Sequence, residues 1–166
     1  MIYYSKIEIP ELSRTLLIAK NDKGVCSIEF YSDERKFRDM LNRNYKDTLK
    51  LAPGKMKSEV KQIQEYFSGK RKNFSMKLYM KGTDFQKKVW KAIAEICYGK
   101  TKSYFDIAKR IKNINALRAV GTACGKNPLP IVIPCHRVIS KDGGIGGFGG
   151  GLQLKRKMLK IEKVRI

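Results

Sequence analysis

A short apolar run, Ile131-Val132-Ile133, is closed by Pro134 and leads straight into Cys135-His136-Arg137-Val138. Behind it, the stretch from Gly143 to Gly150 is glycine throughout except for Ile145 and Phe148. The first segment is predicted to be a buried strand, because β-branched side chains suit a pleated, packed surface. The second can approach a ligand closely, because it carries almost no side chains. The chain must therefore fold so that a thiol leaves the core at a strand end and faces a bare loop. His136 is the only histidine in 166 residues. A free thiol, with a pKa near ~8.5, reacts as its thiolate. An adjacent imidazole can take the proton, and Arg137 can stabilise the anion. The same residues also fit a structural cysteine ahead of an ordinary loop.

Charge bears on that choice. Lysine and arginine number 36 against 15 acids, for a net charge of +21, with small clusters at Lys70-Arg71-Lys72 and Lys155-Arg156-Lys157. This favours a polyanionic partner, nucleic acid foremost, over a merely solvated lysine-rich surface or a membrane-surface role. No apolar run approaches the ~20 residues of a membrane span, and the start of the chain lacks a signal-peptide pattern, so a cytoplasmic location is expected. Cys26, Cys97, Cys124 and Cys135 read as free thiols in a reducing compartment. A single histidine and no CxxC argue against a structural zinc site, and no metal or cofactor is expected.

The N-terminal part reads as scaffold. Tyr3 to Ile9 is a strand stopped by Pro10. Arg14 to Ala19 and Val25 to Tyr31 flank Asn21-Asp22-Lys23-Gly24 as a hairpin. Helices follow from Asp33 to Tyr45 and from Ser58 to Phe67, the latter ended by Gly69. Cys26 is expected in the core.

A boundary near Lys81-Gly82 separates domains at 1–80 and 83–166. Thr83 or Asp84 can cap a helix burying Phe85, Val89, Ala92, Ile93 and Ile96, with Cys97 continuing that face. Ser103 caps a second helix, with Ile107, Ala108 and Ile111 inward. A third runs from Asn115 to Cys124, and the pair forms a helix-turn-helix pattern. Leu117, Val120 and Cys124 share one face of the third helix and read as packing residues. Its other face carries Arg118 and Thr122 among Ala116, Ala119, Gly121 and Ala123. Such small residues suit either a nucleic-acid groove or close helix packing. In the terminal helix, from Leu152 to about Glu162, Glu162 falls within the apolar half between Met158 and Leu159. A carboxylate facing a core needs a partner. Lys155 is one choice. His136 is the other, because a carboxylate fixes an imidazole's tautomer and raises its basicity, giving a Cys135-His136-Glu162 relay.

The segment from Asn127 to Val138 resembles the active-site signature of O6-alkylguanine-DNA alkyltransferases. The likeness extends through Ser103-Tyr104 and Arg118-Ala119-Val120-Gly121 upstream, and through Gly150-Gly151-Leu152 and Glu162 downstream. It implies an α+β fold: an N-terminal ribonuclease-H-like α/β domain and a C-terminal, winged-helix-like helix-turn-helix domain that binds the minor groove of double-stranded DNA as a monomer. It implies direct, irreversible transfer of an alkyl group from O6-alkylguanine, or O4-alkylthymine, to Cys135. His136 would be the base, Glu162 would orient it, and Asn127 would hold the active-site turn. Tyr104 would lie beside a flipped guanine, and Arg118 would take its place in the duplex. Ser103, Ala119, Gly121 and Thr122 would contact DNA. Pro130, Val138, Ile145, Phe148, Gly149 and Gly150 would line the base pocket. Phe148-Gly149 stands where several relatives carry tyrosine-serine, so fewer hydroxyls would meet the base.

The chemistry needs these parts. A buried O6 atom is reached only by extruding its nucleotide, at a cost of a few kcal/mol. A long planar cation filling the gap offsets part of that. Neighbouring residues in extended chain point to opposite sides, so His136 reaches Cys135 only across a turn or a bridging water. Two rival readings remain: a helix-turn-helix DNA-binding protein without chemistry, and a cysteine hydrolase.

Overall fold

In the computed structural model, which describes residues 1–30 and 33–165, the chain divides into two compact units, Met1–Met80 and Lys81–Ile166. The first is built on a sheet of order β3-β2-β1-β4, with β1 at Ile2–Ile9, β2 at Arg14–Asn21, β3 at Gly24–Glu29 and β4 at Leu49–Leu51. β1, β2 and β3 run antiparallel in turn, and β4 lies parallel to β1. The hairpin is tighter than predicted. Asn21 pairs with Gly24, and Asn21 Oδ1 accepts from the N–H groups of Lys23 and Gly24 at 2.9 and 3.2 Å. The asparagine side chain thus does the work of extra turn residues. β3 ends at Glu29, and the predicted strand end at Tyr31 lies outside the described residues.

Helix α1, Glu34–Tyr45, starts where Asp33 accepts from Lys36 N, and α2 spans Lys57–Phe67. Ile2, Tyr4, Leu17, Ala19, Phe37 and Leu41 close a core around Cys26, which is fully buried. β4 was not predicted. Three residues with no buried position give no alternation to read.

The second unit holds α3 at Asp84–Ala94, α4 at Tyr104–Arg110, α5 at Leu117–Gly125 and α6 at Leu152–Ile161. Two short strands, β5 at Lys102–Ser103 and β6 at Val138–Ile139, pair in parallel. Thr83 with Gln86, and Ser103 with Asp106, form capping boxes that fix where α3 and α4 begin. α3 buries Val89, Ala92 and Ile93 as predicted, and Trp90 besides. Trp90 Nε1 donates to the Ala123 carbonyl of α5 at 2.8 Å in a buried bond. The indole lies so close to Gly82 that a Cβ there would meet its ring at 2.5 Å, so only glycine fits. Cys97 departs from expectation and is exposed, because α3 ends at Ala94 and the wheel no longer applies. Leu117, the first residue of α5, is exposed too. No helix among the described residues is long and apolar enough to cross a membrane.

The predicted strand over Ile131-Val132-Ile133 is instead a pair of tight turns. Ile133 N donates to Leu129 O at 2.8 Å, and Ile131 sits at φ +78°, a region β-branched residues rarely occupy. Pro128, Pro130 and Pro134 lack the N–H groups that a ladder would use. Burial follows the prediction at Ile131 and Ile133, both fully buried, but the strand beside Cys135, β6, comes after it.

Replacing Trp90 with Phe keeps most of the packing but removes the indole bond, leaving the Ala123 carbonyl only the longer 3.2 Å bond from Lys126 N. Denaturant unfolding followed by helical circular dichroism should show a loss of about 0.5–1.5 kcal/mol.

Candidate active site

Cys135 opens a single 3₁₀ turn, Cys135–Arg137, and is 7% exposed. The turn is held from Asn127. Its Nδ2 donates to Ile133 O at 2.8 Å and to Cys135 Sγ at 3.2 Å, while its Oδ1 accepts from Leu129 N at 2.9 Å. One amide side chain therefore supplies bonds that a sheet would have made, and its Nδ2 also reaches the sulfur. Burial pushes the Cys135 thiol up; the Asn127 bond and then the charge of Lys155 act against it.

The 3₁₀ turn also breaks the extended alternation that would have sent Cys135 and His136 to opposite sides. His136 is fully buried, and its Nε2 lies 2.6 Å from Glu162 Oε1. With Nε2–H donating to the carboxylate, Nδ1 is the ring's acceptor. Burial holds the imidazole below its ordinary value despite Glu162, which pulls the other way, so the ring is neutral at neutral pH. The expectation that the carboxylate raises its basicity is thus met only in part, because desolvation outweighs it.

Glu162 caps the end of α6 and is buried, as its place on the apolar half of the helix required. It serves more than His136. Arg137 Nε and Nη2 donate to Oε2 and Oε1 at 2.9 and 3.0 Å, and Gly99 N donates to Oε2 at 3.1 Å. Arg137 also donates to Ile96 O. Arg137 is therefore the counterion of Glu162, not the cation beside the thiolate that the sequence suggested.

That second role passes to Lys155, which does not pair with Glu162. Fully buried, its Nζ donates to Val138 O at 2.6 Å and to Gly147 O at 3.1 Å, tying the glycine-rich loop to β6. Burial pulls its pKa down to about 8, against an upward pull from Cys135 and Cys124.

A cavity of about 170 Å³ reaches Cys135, lined with it by Tyr104, Gly121, Cys124, Gly125, Gly147, Phe148 and Gly149. Of the pocket residues expected from sequence, Phe148 and Gly149 line it. Pro130 and Val138 are buried elsewhere in the unit, and Ile145 and Gly150 are half-buried outside the lining. Cys124, expected as plain packing, faces the cavity. A helical wheel gives the buried side of a helix but does not tell core from cavity wall. Tyr104, at the first turn of α4, donates weakly to Gly147 O at 3.4 Å, and burial pushes its phenol up to about 12. Gly146, at φ +69°, passes so near this ring that a Cβ would lie 3.1 Å from it.

On the outer side of α5, Arg118, Ala119 and Thr122 are exposed, and nothing lies within 4 Å of where a Cβ on Gly121 would project. Thr122 Oγ1 turns back to Arg118 O at 3.0 Å. The Ser103 hydroxyl is committed to Asp106 in its capping box. This unit contains 19 of the 36 basic residues and only 5 of the 15 acids, a net +14.

Residues 2–80 match the family model described as 6-O-methylguanine DNA methyltransferase, ribonuclease-like domain, and residues 84–164 match its DNA binding domain. A methylated-DNA–protein-cysteine methyltransferase of Methanosarcina barkeri is 40% identical over 162 residues, covering 98% of both chains. The constitutive enzyme of that name from Bacillus subtilis is 39% identical, covering 99% of this chain and 97% of its own. The crystal structure of Mycobacterium tuberculosis OGT in complex with DNA superposes with a TM-score of 0.84 at 36% identity, covering 97% of this chain and 92% of that one.

Two variants test the electrostatics. Glu162→Gln leaves Arg137 a buried cation without its anion, and chemical denaturation should show a loss on the order of 3 kcal/mol. Lys155→Met removes the cation whose charge favours the thiolate, so pH-dependent alkylation by a small haloacetamide should report Cys135 ionising at higher pH than in the parent. An unchanged profile would leave Lys155 with only its loop-fastening bonds.

Proposed function

The chain belongs to the 6-O-methylguanine DNA methyltransferase family, whose members carry out DNA repair by moving an alkyl group from DNA to a protein cysteine, and we propose that Cys135 is the acceptor, taking the group from O6 of an alkylguanine turned out of duplex DNA. The observation that carries this reading is the cavity lined by Cys135, whose sulfur is held by Asn127, together with Tyr104 and the glycine loop. Its volume suits one small planar group, well below the ~300–1,000 Å³ of drug-sized pockets.

In the proposed reaction the neutral imidazole of His136 takes the thiol proton across the turn or through a water, and Glu162 stabilises the imidazolium. The thiolate attacks the alkyl carbon in line; a C–S bond forms as the C–O6 bond breaks, and guanine leaves with the electron pair. Tyr104, whose high pKa keeps the phenol protonated, donates to the departing base, and its bond to Gly147 O is weak enough to exchange cheaply. The phenolate is then reprotonated from the imidazolium through solvent. The product is a thioether with no group in the cavity poised to cleave it, so each molecule acts once.

The DNA-facing surface is assigned to the outer side of α5, entering the minor groove. Arg118 fills the vacated stack while Ala119 and Gly121 let the helix sit close. Ser103 and Thr122 have a smaller part, since each hydroxyl is already bonded within the protein. Gly121 belongs both to this face and to the cavity wall, which gives the extruded base a path past a residue with no side chain.

Incubation with duplex DNA bearing a labelled O6-methyl group should transfer at most one label per chain, to Cys135, and Cys135→Ser should bind DNA yet take none. Turnover of label would favour a hydrolase, and tight binding without transfer a DNA-binding protein without chemistry. Arg118→Ala should slow transfer from duplex far more than from free O6-benzylguanine, because only the duplex requires extrusion; equal losses would remove Arg118 from that role. Affinity for DNA should fall with salt at a slope of roughly −0.9 per phosphate contact.

A further inference from the structure

Of the four cysteines, only Cys124 shares the cavity of Cys135. Cys26 is buried in the other unit, and Cys97 is exposed and absent from the lining. Asn127 spans the two: its backbone N donates to Cys124 O at 3.2 Å, and its side chain donates to Cys135 Sγ at 3.2 Å. Gly121 and Gly125 flank Cys124 in the wall and leave the space around it lightly filled. Cys124 is also the penultimate residue of α5, and a helix's last turn frays readily. The function assigned above makes no use of this second thiol.

We propose that Cys124 is a resolving thiol for Cys135, so that the cavity is a reversible oxidation site for small hydroperoxides. This rests on the reading of Cys135 as the reactive nucleophile, because a thiolate prepared for an alkyl carbon is equally open to peroxide oxygen. In the first step the Cys135 thiolate attacks the peroxide: an S–O bond forms, the O–O bond breaks, and hydroxide or alkoxide leaves, taking the proton held by His136. In the second, Cys124 attacks the sulfenic sulfur. An S–S bond forms, the S–O bond breaks, and the Cys124 proton leaves with the hydroxyl as water. Cys135 is oxidised by two electrons and the peroxide is reduced. A thiol reductant then returns both residues. The pair thereby shields an acceptor that works only once from the irreversible sulfinic and sulfonic acids. Burial keeps Cys124 protonated, with its pKa pushed up to about 12, so it waits as a thiol and does not compete for the alkyl group.

The test treats the full chain, without DNA, with hydrogen peroxide, and reads intact mass, non-reducing peptide maps and subsequent transfer from O6-benzylguanine. The parent should lose the mass of two hydrogens, yield one cross-linked peptide pair joining Cys124 to Cys135, and regain most of its transfer after dithiothreitol. Cys124→Ser and Cys124→Ala, each normalised to its own untreated transfer, should instead gain two or three oxygens on Cys135 and stay inactive. Cys97→Ser should behave as the parent. A cross-link through Cys97 or Cys26, or recovery in the Cys124 variants equal to the parent's, overturns the proposal. Failure of the untreated parent to take label at all would defeat the alkyl-transfer reading instead, and the mass map would still decide the cross-link.

Discussion

A single buried carboxylate organises the second unit of this molecule. Glu162 sits at the end of α6 and reaches back to the turn after α3 through Gly99 N and to the Cys135–Arg137 turn through His136 and Arg137. Three segments far apart in sequence converge on two oxygens. Placing the charge there carries a desolvation cost that only full pairing offsets, and Glu162 has both a bidentate cation and further donors. With Arg137 neutralised and His136 uncharged, the remaining buried charge near the sulfur is Lys155, whose two described bonds go to carbonyl oxygens. Lys155 is therefore a buried cation without a described carboxylate partner, and its charge favours an anion at Cys135. Burial alone would keep the thiol protonated; this surplus charge and the Asn127 amide are what oppose it.

Helix α5 joins two tasks that small residues make compatible. Outward it shows Arg118, Ala119 and Thr122; inward it supplies Gly121, Cys124 and Gly125 to the cavity. Trp90 fixes its far end through the Ala123 carbonyl, so the helix's position is set by a bond in the core and not by the surfaces it serves. A larger side chain at Gly121 would alter both faces at once.

Much of this was legible from residue pattern. The caps at Thr83 and Ser103, the apolar stripe of α3 and the burial of Glu162 follow from helical periodicity, which is reliable where a helix has one face in the core. The turns of residues 131–133 were not legible, because β-branched content argues for a strand and only the three surrounding prolines argue against it; the deciding bonds come from the Asn127 side chain, which no periodicity reports. Likewise Arg137 and Lys155 are adjacent to plausible partners in sequence or on the wheel, yet each takes a different one. The choice depends on where chain segments meet in three dimensions. The asparagine that shortens the hairpin at Asp22-Lys23 is the same lesson in small: a polar side chain replacing backbone bonds shifts a boundary that composition alone leaves open.

The indole that locks α3 to α5 belongs to the only tryptophan in the chain. Six of the eight tyrosines lie in the first unit, and only Tyr98 and Tyr104 in the second. Emission excited at the red edge of indole absorption therefore comes from one half of the molecule alone, from a ring buried against the helix that carries Arg118 and Cys124. The protein has a built-in optical label for its C-terminal unit. Comparing that signal with far-ultraviolet ellipticity, which both units share, tells whether the two halves melt together or in turn.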